Sequence, residues 1–268
     1  MVSGGMMKLR MFLCLLLGCC LYMAQAQGKT ELCIVGTVHN PRSYFDSDTV
    51  YRILCRLEAD VVLMELDSAF FDRDFRFDLE RFPDLLSTNE NIGAHRYQTE
   101  RGALLRPFDV SGRNAWYREH RYFEKQDSMW LDVLACYRES RLDKRAQEDV
   151  ELVLQVMDYN GMKFASARDM NSSMTMGYLS LREQILYSKL LSVVEHTESL
   201  SHWQDFARLW AAHWWRRNEI MAANIRRTVG TFAGRRVVVF VGLEHKPALM
   251  RLLQGASDEW VLKEYWEY

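Results

Sequence analysis

Leu32-Cys33-Ile34-Val35-Gly36-Thr37-Val38-His39 opens with four apolar residues, followed at once by a Gly and, three positions on, a His. An unbroken apolar run of this kind reads as a strand buried on both faces, as at the centre of a parallel sheet. Gly36 can take backbone angles closed to other residues, so a sharp turn is expected there. His39 then stands at the carboxyl end of a central strand, where open α/β sheets place their ligands. The pattern returns near the C-terminus as Val237-Val238-Val239-Phe240-Val241-Gly242-Leu243-Glu244-His245. A third apolar run, Val61-Val62-Leu63-Met64, ends directly on Glu65, with Asp67 two residues on. Three strands thus carry His39, Glu65 and His245 to one sheet edge. Two imidazoles and a carboxylate make a metal-site composition.

Between the first two runs, Val50, Ile53, Leu54 and Leu57 share one face and predict a helix over 48–59, with Asp48 as its N-cap. Strand, helix and strand with short links form a βαβ unit, so the sheet begins parallel. Residues 68–101 mix Phe70, Phe71, Phe75, Phe77 and Phe82 with many Asp and Arg. They read as short helices and loops, a lid packed by its own rings, with a pocket-lining role for those rings as the alternative. Leu104 to Asp109 reads as another short strand, which Pro107 confines to an edge or to the strand's end. Asp109 then either orients a His ligand or caps the helix that begins near Arg113. Helical periodicity follows over 128–158 with Gly161 as a stop, over 179–195, and over 203–229. A strand over 236–241, a helix over 247–254 opened by Pro247, and a short strand at 260–262 complete the chain. The expected fold class is α/β, a mostly parallel central sheet with flanking helices and a helical insertion between the N-terminal and C-terminal strands.

Of the 268 residues, the first 26 read as a signal peptide. Lys8 and Arg10 supply a basic start, Met11 to Tyr22 is apolar but too short to span a bilayer, and Ala24-Gln25-Ala26 is a small-x-small cleavage site. Residues 27–268 then form a single exported domain, periplasmic or secreted. Leu16-Leu17-Gly18-Cys19 roughly matches a bacterial lipobox and offers anchoring through Cys19 instead, although the Ala-x-Ala match is better. No other stretch is apolar for the ~18 residues a membrane helix needs, so no integral membrane segment is expected in the mature chain. The formal charge is −2, and removing two basic residues with the signal takes it to −4. With no basic run, no nucleic-acid partner is expected. Three of the six Cys lie in the signal. The remaining Cys33, Cys55 and Cys136 fit no zinc pattern and read as buried free thiols.

Imidazole nitrogen with carboxylate oxygen suits manganese, cobalt or zinc, and three protein ligands leave a position for a water made acidic by the metal. Glu244 or Asp67 is the expected base for that water, which gives metal-assisted hydrolysis. The sequence has no Gly-x-Ser-x-Gly, no Gly-rich phosphate loop and no His-Glu-x-x-His.

The two Gly-x-x-His motifs (Gly36 to His39, Gly242 to His245), Glu65 after the second strand, and Arg217-Asn218-Glu219-Ile220-Met221-Ala222 ahead of the last motif occur in the order seen in the TraB/PrgY/GumN family, which the chain resembles. That family includes the Tiki proteases and belongs to a larger group with the erythromycin esterases and the ChaN haem-binding lipoproteins. The resemblance implies an α/β core with paired halves and a pocket over the strand ends. It also implies a bacterial source and divalent-metal-dependent hydrolysis of a peptide or small-molecule substrate. By position His39, Glu65 and His245 hold the metal, and Arg217 is a pocket cation acting on a carbonyl or carboxylate. The alternative for Arg217 is a surface residue paired with Glu219 or Asp205. Lys246-Pro247 follow the second motif where family members often have a small residue. The same group offers a second function, non-covalent haem binding or partner binding on the same fold.

Overall fold

The computed structural model describes residues 28–157, 162–255 and 258–268; the expected signal peptide, the lipobox and Gly161 lie outside the described residues. The first apolar run becomes β1 (Thr30–Thr37), and α1 (Ser47–Leu57) turns Val50, Ile53, Leu54 and Leu57 inward. The N-cap of α1 is Asp46 rather than Asp48: its carboxylate accepts from the amide of Thr49 at 2.8 Å. β2 (Val61–Met64) follows, then α2 (Asn89–Arg101), β3 (Leu104–Pro107), α3 (Arg113–Glu119), α4 (Tyr122–Arg138) and α5 (Lys144–Met157). A one-turn helix (Ala167–Met170) leads into the long α6 (Ser173–His196) and α7 (Gln204–Val229). β4 (Arg236–Gly242), α8 (Lys246–Leu253) and β5 (Trp260–Leu262) close the chain.

All five strands are parallel, in the order β3-β2-β4-β1-β5. β1 and β2 are therefore not neighbours. β4, the most apolar strand, lies between them, with Val237 to Val241 essentially without exposure. Register does the rest. Thr37 lies opposite Gly242 and Met64 opposite Phe240, so the chain segments after β1, β2 and β4 emerge side by side at one edge. β3 is an edge strand that ends on Pro107, which has no amide to donate to a further ladder bond.

Helices cover both faces. α1 and α2 pack on one face through Val50, Leu54, Ala94 and Tyr97. α7 and α8 pack on the other through Met221, Ile225, Leu249 and Leu253. The insertion between β3 and β4 has its own apolar cluster, drawn from α4, α5, α6 and α7. Complete burial of a Leu, Val or Phe side chain stabilises by about 1.5–3 kcal/mol, and each of these groups contains many. None of Phe70, Phe71, Phe75, Phe77 and Phe82 lines the cavity over the strand ends. Phe71 and Phe77 are buried in the core, and Phe70 packs edge-on against Phe82. Cys33, Cys55 and Cys136 are free thiols, and burial pushes that of Cys33 up to about 12. Among the described residues no helix is long and apolar enough to cross a membrane.

Gly36 does not make a turn. It lies inside β1, where an added Cβ would fall 2.7 Å from Leu243 Cδ1 and 3.2 Å from Leu243 Cα. The glycine is required because the backbone after β4 passes directly over it.

Candidate active site

The carboxyl ends of β1, β2 and β4 form the floor of a cavity of about 750 Å³ that opens under the helical insertion. His39, Glu65, Arg217, Glu244 and His245 all line it. Four positions selected from strand-end spacing thus share one cavity with Arg217, which only the family resemblance points to; three strands and α7 bring them there. Asp67 has another job. Its carboxylate accepts from the amide of Ala69 at 3.1 Å and from that of Gly112 at 2.5 Å, fixing the turn after β2 and the start of α3.

Arg217 is the centre of the floor. Its Nε donates to Asp109 Oδ1 at 3.0 Å and its Nη2 to Asp109 Oδ2 at 2.9 Å, a bidentate pair. Nη2 also donates to Glu65 Oε1, and Nη1 donates to His245 Nε2 at 2.8 Å. Burial opposes the guanidinium charge, but Glu65 and Asp109 outweigh it and raise the Arg217 pKa. Glu219 and Asp205 pair with Arg216 and Arg208 instead, so the surface alternative for Arg217 does not hold. Asp109, whose side chain is 1% exposed, also accepts from Arg113 Nη1. It binds two arginines rather than orienting a histidine, while Gly112 occupies the N-cap of α3. Glu65 is held from its other side: Oε2 accepts from the amide of Gly242 at 2.6 Å, across the β2–β4 junction.

His245 is fully enclosed. Asn218 Oδ1 lies 2.8 Å from its Nδ1, and the Asn218 amide nitrogen donates to Trp214 O at 2.9 Å, so Oδ1 is the acceptor and Nδ1 carries the proton. Arginine cannot accept, so Nε2 must be the acceptor toward Arg217. Both nitrogens are used and the ring is neutral. Burial, with Arg217 next, pushes its pKa well below the ordinary value. Trp214 stacks on the ring with centroids 4.3 Å apart.

His39 differs in kind. Its side chain is 62% exposed into the cavity, and its Nδ1 lies 2.5 Å from Oε1 of Glu90, a side chain that is only 9% exposed. The bond to Glu90 raises the His39 pKa, against the opposing effect of burial. Glu90 Oε2 is buried without a hydrogen-bond partner, so this carboxylate acts on His39 alone. Asn89 braces the same loop: its amide donates to His39 O at 2.9 Å and its side chain to Val38 O at 2.8 Å. Both residues open α2, in a stretch whose helical periodicity is poor. The sequence cue is Thr88, whose hydroxyl caps the helix by accepting from Asn91 N.

A second group unnoticed in the sequence lies behind the floor. Asn171, without exposure, accepts from the Gly36 amide at 2.7 Å and from Lys246 Nζ at 3.1 Å, and donates to Gly36 O at 3.1 Å. Lys246, also without exposure, reaches Glu264 Oε2 at 2.9 Å. Burial lowers its pKa while Glu264 counteracts. The lysine thus ties the strand before His39 to the helix after His245.

In this arrangement the floor does not fit a two-histidine, one-carboxylate metal site. The His245 Nε2 lone pair is committed to Arg217, and the guanidinium lies between that nitrogen and Glu65, which are 4.0 Å apart. Among the described residues no group of three or more His, Cys, Asp or Glu side chains is arranged to hold a metal ion. Glu244, an expected base, is paired with Arg182 at 3.2 Å.

No protein-family description and no curated protein matches the chain in sequence. Among solved structures it is similar to a histidine-to-asparagine mutant of an erythromycin esterase in its open conformation. The alignment has 11% identity and a TM-score of 0.35, and covers 89% of this chain and 70% of that one. Similarity of that size says nothing about the reaction.

Proposed function

We propose that the chain is a hydrolase of carboxylic esters or amides, in which His39 is the general base and Arg113 and Arg217 face the developing oxyanion. The observation that carries this reading is the His39–Glu90 pair. A buried carboxylate with a single partner holds Nδ1 of an exposed imidazole that lines the cavity, the base-and-orienter relation that activates nucleophiles. Nε2 of His39 takes a proton from water, and the hydroxide oxygen adds to the carbonyl carbon. The charge on the carbonyl oxygen meets the guanidinium N–H groups. The proton held on His39 then goes to the leaving oxygen or nitrogen as the carbonyl bond to it breaks. His245 is a support, since both its nitrogens are committed. Membership of the TraB/PrgY/GumN group and export belong to the same reading, and a peptide bond is within its chemistry.

The test is release of 2-naphthol from 2-naphthyl acetate by residues 27–268. A positioned base contributes about 10²–10⁴-fold, so His39→Gln should lower kcat/KM by at least 10²-fold with the fold intact by circular dichroism. Unchanged turnover in His39→Gln would overturn the assignment. The same protein is stripped with chelator and titrated with manganese, cobalt or zinc. One equivalent bound in wild type, absent in both His39→Ala and His245→Ala, would restore the metal-dependent form of the reaction, with Arg217 displaced.

A further inference from the structure

The walls of the cavity differ from its floor. On one side Trp210, Tyr187, Trp214 and His245 form a continuous ladder of rings, with successive centroids 4.4, 4.8 and 4.3 Å apart. The ladder runs from the charged floor up into the helical insertion. Tyr117, Tyr122, Phe123 and His213 also line the cavity, with Trp116 stacked behind His213 at 4.5 Å and 5°. Several polar tips of these rings are already used. Trp210 Nε1 donates to Gln126 Oε1 at 2.8 Å, Trp214 Nε1 donates to Glu183 Oε1 at 2.8 Å, and the Tyr117 hydroxyl pairs with His213 Nε2 at 3.1 Å. Because stacking covers the faces of Tyr187 and Trp214, what remains for a ligand is mainly ring edge, together with the Tyr122 and Tyr187 hydroxyls, a lining that favours flat apolar groups. The floor is matched in charge. Arg113 and Arg217 face Glu65 and Asp109, and Arg182 faces Glu244.

We infer that the site takes an uncharged ester or amide carrying a flat aryl or similarly bulky apolar group, which lies against the aromatic lining while its carbonyl rests on the arginine floor. A small alkyl substrate leaves the walls uncovered. A free carboxylate adds a charge to a floor already in balance. This specificity rests on the hydrolase reading for its catalytic half only, because the walls would select the same shape in a protein that binds without turnover.

The experiment measures binding separately from hydrolysis. By calorimetry on residues 27–268, the neutral, non-hydrolysable ketone 2-acetylnaphthalene should bind at least 100-fold tighter than 2-butanone, and tighter than 2-naphthoate. Phe123 is 55% exposed at the mouth, so Phe123→Ala leaves the fold intact and should weaken 2-acetylnaphthalene about 5- to 10-fold. Met174, 84% exposed and outside the cavity, serves as control: Met174→Ala should change nothing. Equal binding of the two ketones, or equal effects of the two variants, would overturn the aryl subsite. Tighter binding of 2-naphthoate than of the ketone would overturn the uncharged head. Selective ketone binding without 2-naphthyl acetate turnover would leave the subsite standing and remove the hydrolase reading.

Discussion

Replacing Arg217 with methionine tests whether the floor is the unit of charge described above. Asp109 is 1% exposed and spends both oxygens on Arg217 and Arg113, so it cannot turn to water when Arg217 is lost. Glu65, 14% exposed, loses its closest cation and keeps the Gly242 amide and a 3.7 Å approach from Arg113. The His245 Nε2 lone pair loses its donor. Removing one partner of a buried ion pair typically costs about 3–5 kcal/mol, because a charge is left buried without compensation. For a chain of this size each kcal/mol lowers Tm by roughly 2–4 °C, so a drop of about 6–20 °C is expected. Differential scanning calorimetry and urea unfolding give the two values independently. Asp109→Asn on the Arg217→Met background should recover part of the loss, since it removes the orphaned charge. A single mutant within about 1 kcal/mol of wild type, or a double mutant with simply additive losses, would refute the picture of a coupled buried cluster.

His213 is held down to about 4 by burial, with help from Arg217 and Arg113. Its folded pKa lies below the unfolded value, so its contribution is complete above pH ~6.5 and is lost as pH falls toward 4. That is a loss of about 2–3 kcal/mol after allowing for partial exposure, read as the urea midpoint at pH 7 against pH 4.5 and absent in His213→Gln. For His39 the shift has the opposite sign, raised first by the bond to Glu90. The acid limb of kcat/KM on 2-naphthyl acetate should therefore lie above pH ~6.5, and Glu90→Gln should move it down; a limb indifferent to Glu90 would remove the pairing from the mechanism. Lys246→Met strands Glu264, which is partly exposed, and leaves Asn171 on Gly36, so a loss of about 1–3 kcal/mol in urea unfolding is expected. Iodoacetamide under native conditions should leave Cys33 unmodified, because the thiol is buried and its pKa lies near 12.

β1, β2 and β4 were legible because each carries an apolar run with no competing period, and the end of each of those runs marked a site position. Their order was not: a βαβ reading puts β1 beside β2, and nothing local says that a strand 200 residues later fits between them. The helical insertion was legible in periodicity, but not the fact that Trp210, Trp214 and Arg217 share the face of α7 that closes the cavity. Asp48 and Asp46 are equally good caps on paper, and backbone geometry chose the earlier one. Glu90 escaped because α2 is stabilised by packing on α1 rather than by a strong apolar stripe of its own. Arg217 was read as a cation acting on substrate, whereas its geometry makes it first the counter-charge to Glu65 and Asp109. Spacing marks which residues meet, but the partner that absorbs each lone pair is a matter of tertiary contact.

The strand order also explains why so much charge can be concentrated at this edge. Glu65 and Asp109 follow β2 and β3, which pair with each other, so they are neighbours as soon as those two strands form. Two carboxylates held together without a cation would oppose that pairing. The compensating Arg217 arrives on α7, and the Gly242 amide that donates to the other oxygen of Glu65 arrives with β4. β4 pairs with β2 on one side and β1 on the other. Its docking brings the amide and His245 to the edge, and with them the α8 lysine that bonds Asn171, itself bonded to Gly36. The charged floor is therefore complete only when the chain's two distant halves have met. Insertion of β4, which buries five apolar residues, supplies the free energy that a cluster of buried charges could not supply for itself. A charged floor built this way is rigid because each charged group at its centre is fixed by a residue from another part of the chain.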